Sequence, residues 1–126
     1  MHDIFNTQRL VKVFKLCDNA PTTRIAINQY AAPYQPYFHS FGLTQSWAIL
    51  PHQSFFINYD DIVIWGTTLD VEFTDLNQTD TTIMLVPLNG DTPLNVTLAN
   101  YRLYFTHVIN AFERANSVVF DGAFLF

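Results

Sequence analysis

Thr82-Ile83-Met84-Leu85-Val86-Pro87-Leu88-Asn89-Gly90-Asp91-Thr92-Pro93-Leu94-Asn95-Val96-Thr97-Leu98 carries a β-hairpin in its letters. The apolar, β-branched run Thr82 to Leu88 is a strand, Asn89-Gly90 is a two-residue turn signal, and Pro93 to Leu98 is the returning partner. The same grammar extends in both directions. Upstream, Leu69 to Phe73 alternates apolar and acidic residues, and Asp75 to Asp80 is a polar loop. The runs at Ile62 to Trp65, Phe55 to Ile57 and Trp47 to Leu50 are short, apolar and bounded by turn residues. Nearer the N-terminus, Leu10-Val11-Lys12-Val13-Phe14-Lys15-Leu16 has a period of two, the mark of a half-buried strand. Asp18-Asn19-Ala20-Pro21 closes it, and Arg24 to Asn28 follows as a second strand. Pro33 and Pro36 interrupt pairing and deliver the chain, extended, into Tyr37 to Phe41. Downstream, Leu103 to Phe112 and Val118 to Phe120 are strands, with Asp121-Gly122 read as a turn before Ala123 to Phe126. About ten short strands and no amphipathic helix make the chain all-β.

Composition narrows the function. A chain of 126 residues forms one modest domain, so residues 1–126 are read as a unit without an internal boundary. Aromatics reach 16%, while charged residues are only 13% against the usual quarter, so much of the surface expects cover from other protein. A net charge of −5 with scattered acids excludes the basic stripe of a nucleic-acid binder. The single Cys17 allows no internal disulfide and sits in an apolar run as a small core residue. No run reaches the ~20 apolar residues of a membrane helix. Asp3 and Asn6 stand where a signal peptide would be basic and then apolar, which points to an intracellular, cytoplasmic setting. There, the Asn77 and Asn95 glycosylation sequons would go unused. The abrupt apolar C-terminus reads as a truncation or partial gene product.

Two histidines, His39 and His107, each lie inside an aromatic strand-like run. Residue types alone favour satisfied core histidines, because the pair has none of the local spacing of HExxH or CxxC. Their separation of 68 residues equals about one enlarged propeller blade, and innermost blade strands converge on one axis. A sandwich gives no such reason for the spacing. Ser40 has no partner base and is read as a hydrogen-bonding or turn residue. His52 is read as a surface or loop residue, and terminal His2 is set aside.

The local sequences carry a resemblance. PYFHSFGLTQSWAIL (36–50) resembles the HSFG(L/I/M)T segment of the carotenoid cleavage oxygenases, the family that also contains the visual-cycle isomerohydrolase. YFTHVINAFE (104–113) resembles that family's F.HH(V/I)NA(Y/F)E segment. TTIMLVPLNGD (81–91) and PTTRIAI (21–27) are similar to the strands preceding these two segments, colinearly over about residues 20–122. The resemblance implies a seven-bladed β-propeller of several hundred residues, of which this chain would be a fragment of about two blades. It also implies one non-haem Fe(II) held by four histidines, with His39 and His107 matching two of them. All-histidine ligation suits ferrous iron and leaves positions for O2.

The implied reaction is dioxygenase cleavage of a conjugated double bond in a carotenoid or apocarotenoid, an apolar polyene. Peripheral membrane contact of the intact protein is part of the same implication. Phe38, Phe41, Trp47 and Phe105 are then candidate lining for the polyene, or else ordinary core. Thr106 departs from the family, which often has a second histidine there, and His52-Gln53-Ser54 stands where relatives often have Glu-Gln-Pro. Glu113 with Asn110 is read as fixing strand and loop geometry rather than moving protons. The other two ligands and the orienting glutamates fall outside the chain, so it should be inactive alone and expose apolar blade faces. Two rivals stand beside this reading. One is a non-catalytic propeller remnant binding an apolar ligand or protein partner; the other is an unrelated β-sandwich that would hold the two histidines apart.

Overall fold

A computed structural model describes residues 10–32, 37–53, 55–57, 63–64, 71–73 and 80–125, with backbone alone for 55–57, 71–73 and 125. The described residues form ten strands: β1 (Leu10–Cys17), β2 (Ala20–Ala31), β3 (Gly42–Leu43), β4 (Trp47–His52), β5 (Phe55–Ile57), β6 (Val71–Phe73), β7 (Thr81–Pro87), β8 (Leu94–Leu98), β9 (Tyr104–Arg114) and β10 (Ser117–Leu125). All pairings are antiparallel. At the centre is a four-stranded sheet ordered β3-β4-β7-β8, flanked by the hairpins β1-β2 and β9-β10; β5-β6 forms a further pair. The expected polar loop at 75–79 lies outside the described residues, as do positions 62 and 65 of the apolar run Ile62 to Trp65, whose Val63 and Ile64 are helical rather than extended.

Both faces of the central sheet are covered, which is why its inner strands read as unbroken apolar runs rather than alternating ones. Ala48, Leu50 and Val86 face Tyr30 and Ala32, with Val11, Val13, Phe38 and Met84 packed around them. Ile49 and Ile83 face the other way, against Leu103 and Phe105, with Leu98, Ala111, Val118 and Phe120 at the margin. Removing an Ile, Leu or Val side chain of this kind from water is worth ~1.5–3 kcal/mol. The two flanking hairpins are thus glued to opposite sides of one sheet. Their outer faces are not covered: Phe14, Leu16 and Ile25 on one hairpin, and Ile109 and Phe112 on the other, are exposed.

Three local expectations change. Asn89-Gly90 does lie at the end of β7, with Gly90 at φ 90, but the hairpin is not a two-residue one. Pairing stops at Leu85 and Leu94, because Pro87 and Pro93 have no amide hydrogen to contribute. The wider loop is held instead by the Asn28 side chain, whose Nδ2 donates to the carbonyls of Pro87 at 3.0 Å and Asp91 at 2.8 Å. Asp121-Gly122 is not a turn. β10 runs straight through it with a bulge between the two residues, and the chain reverses at Ala115-Asn116, where Ala115 has φ 51. The glycine marks a close approach rather than a bend, since a Cβ on Gly122 would meet the His107 carbonyl oxygen at 3.0 Å.

His52 is the third correction. It is no surface residue but 3% exposed at the end of β4. The Tyr30 hydroxyl and its Nε2 are hydrogen-bonded at 2.5 Å, the Phe38 ring meets it edge-on at 5.4 Å, and burial lowers its pKa to about 4. A histidine that stays neutral can fill an apolar site if its ring nitrogens find partners, and the Tyr30 hydroxyl is one.

Candidate metal centre

His39 stands at a bend in the irregular segment before β3 rather than in an extended run, and His107 lies within β9. Although 68 positions separate them, their ring centroids are 4.9 Å apart with the planes at 80°. Two imidazoles sharing one first-row ion at ~2.1 Å per nitrogen, and ~90–110° between bonds, have centroids ~4.5–5.2 Å apart. The separation of the pair falls in that range, which is also that of an ordinary edge-to-face ring pair. Near-perpendicular planes also let both rings aim a nitrogen at one point without their edges colliding. Both side chains are exposed, so an ion could reach them.

The residues around the pair explain how two distant segments meet. Val108 N, next to His107, donates to the Oγ of Ser40, next to His39, at 3.0 Å. Two residues on, Gly42 lets β3 press against β9: a Cβ there would be 3.1 Å from Ile49 Cβ and 3.2 Å from Ala111 Cβ. At the far end, one carboxylate oxygen of Glu113 accepts from Thr44 Oγ1 at 2.6 Å and Ser46 N at 2.7 Å, and the other accepts from Ser46 Oγ at 3.2 Å. These bonds hold the Glu113 pKa below the ordinary carboxylate value. Glu113 and Ser40 are therefore fasteners between the two motif segments. Their spacing in each segment is that of one strand lying along another.

A partner orients His39 as well. The Tyr37 hydroxyl lies 3.3 Å from its Nδ1. In the tautomer with the proton on Nδ1, that nitrogen donates to the Tyr37 oxygen and Nε2 presents its lone pair. Thr106 turns away, its Oγ1 donating to the Ala123 carbonyl at 3.2 Å, so His107 is the ligand candidate of its segment. Among the described residues no cluster of three or more His, Cys, Asp and Glu forms. The aromatic candidates divide: Phe105 is buried, Phe38 packs into the opposite core, Trp47 is half-buried, and Phe41 is 53% exposed. Phe38 and Phe41 together line a cavity of about 380 Å³ beside β1. The side chain of Glu72, and His2, lie outside the described residues. Sequence reasoning missed Tyr37 and Gln53; neither a strand-edge tyrosine nor a lone glutamine announces a role in its letters.

The family model of the retinal pigment epithelial membrane protein matches residues 4–125. The chain belongs to that family, the carotenoid oxygenases. Among solved structures, a mutant of Synechocystis apocarotenoid oxygenase is similar to this carotenoid oxygenase family member at TM-score 0.70 and 19% identity, over 90% of this chain and 23% of that one. At that identity the likeness is one of fold, and the fold is that of a β-propeller. The four-stranded antiparallel sheet between two flanking pairs corresponds to a blade with parts of its neighbours, about two blades' worth of strands. The chain spans about a quarter of that relative. No match was found among the curated proteins.

Proposed function

We propose that this chain forms part of a non-haem Fe(II) dioxygenase cleaving a conjugated double bond of a carotenoid or apocarotenoid, with His39 and His107 as two of the protein ligands of the iron. The observation that carries the reading is the convergence of the two imidazoles at 4.9 Å and 80°, in a chain of this family. Ferrous iron, when bound, supplies the activation of O2. The residues of the chain do the rest. Ser40, Gly42 and Glu113 hold the two histidine segments in register, and Tyr37 orients the His39 ring. Phe38 and Phe41 offer apolar surface near the His39 segment for a polyene. Two imidazoles alone hold an ion weakly, so the 126-residue chain by itself is expected to be catalytically silent.

The test is direct. Anaerobic Fe2+ added to the chain should perturb the imidazole resonances of His39 and His107 together, and either His→Ala variant should remove the response of both. A folded chain in which neither ring responds rejects the assignment.

A further inference from the structure

Gln53 follows β4 immediately and is 2% exposed. Its Nε2 donates to the Tyr37 carbonyl at 2.7 Å, and its Oε1 accepts from Phe105 N at 2.6 Å. Tyr37 lies two residues before His39, and Phe105 lies two residues before His107. The Ser40–Val108 bond joins the residues that follow each histidine. One buried carboxamide and one hydroxyl therefore bracket the pair, at matching offsets on both segments.

We propose that Gln53 is a positioning residue for the histidine pair, fixing the separation of the two imidazoles by tying together the backbones that carry them. Residues 37–41 belong to no strand, so no ladder of backbone bonds sets their distance from β9. Side-chain bridges must do it. The bridge at this site needs one donor and one acceptor in fixed opposition, and burial excludes water from substituting. A carboxamide meets that demand at neutral pH; a carboxylate only accepts, and a thioether cannot donate and accepts only weakly. The purpose assigned to the bridge rests on the metal reading above, whereas the bridge itself does not.

The experiment uses the metal-free 126-residue chain and its Gln53→Met and Gln53→Glu variants, with Zn2+ as a redox-silent probe. The readouts are the inter-ring NOE between His39 and His107 and the Zn2+ affinity. Folded Gln53→Met should lose the NOE and bind Zn2+ roughly 10-fold more weakly or worse, the usual effect of removing an outer support of a ligand. Gln53→Glu keeps the acceptor for Phe105 but repels the Tyr37 carbonyl while ionised. Burial raises such a carboxyl's pKa, so lowering the pH from 8 to 6 should restore the donor and with it the NOE. Wild type taken through the same pH range should keep its NOE unchanged, which separates the response of the introduced carboxyl from any other effect of pH. If Gln53→Met does not fold, the pH response of Gln53→Glu decides. An unchanged NOE in folded Gln53→Met, no pH rescue in Gln53→Glu, or no NOE in the wild type overturns the proposal. A lost NOE in the variant, with no Zn2+ response in the wild type, keeps Gln53 as the bridge and removes the metal reading instead.

Discussion

Replacing His52 by Gln should flatten the acid side of the stability profile. In the folded chain His52 is buried among Tyr30 and Phe38, and its pKa falls from the ordinary 6.5 to about 4 because burial disfavours the imidazolium. The folded state therefore binds fewer protons than the unfolded state between those two values. Stability is constant above pH 6.5 and falls as the pH drops below it, by about 1.36 kcal/mol per pH unit, levelling off near pH 4. The loss reaches about 2 kcal/mol at pH 5 and about 3 kcal/mol at pH 4, a large fraction of a small domain's total. Urea unfolding at pH 7 and pH 5, followed by tryptophan fluorescence, measures it. Wild type should lose about 2 kcal/mol more over that interval than His52→Gln, which stays neutral throughout. Glu113 acts in the same direction but lower: its pKa is depressed, so its contribution is lost only as the pH falls below the ordinary 4.5. It is common to both proteins and cancels. Equal slopes between pH 7 and pH 5 would show that His52 is not held neutral by burial.

Two further outcomes follow from the fastening of the histidine segments. Gly42→Val should destabilise by ~1–3 kcal/mol, because its Cβ alone would already crowd Ile49 and Ala111, and the branched methyls have no space; a thermal midpoint equal to wild type would contradict the close approach of β3 and β9. Glu113→Gln keeps the shape but loses the charge that accepts from Thr44 and Ser46, so the Ser46 amide should exchange with solvent faster while amides of β4 and β7 stay protected. Uniform exchange across the chain would show that this carboxylate fastens nothing.

The sequence by itself determined the class of fold. Period-two alternation in β1, apolar runs at β4 and β7, and turn residues between them are local properties, and local properties need no tertiary contact to be legible. It also marked His39 and His107, through the residues flanking them in the two family-like segments. What it could not determine was anything set by which strands meet. Gly122 and Asn89-Gly90 have the same local preference for turns. Gly122 became a bulge because β10 passes over the His107 carbonyl, and the Asn89-Gly90 loop widened because two prolines cannot join the ladder. His52 looked like a loop residue because its neighbours in sequence are polar or turn-forming. It is buried because Tyr30 and Phe38, 22 and 14 positions earlier, close over it in space. The meeting of two imidazoles across 68 residues is of the same kind. Spacing allowed it, and only the packing of β3 along β9, tied by Ser40, Gln53 and Glu113, brings the rings together.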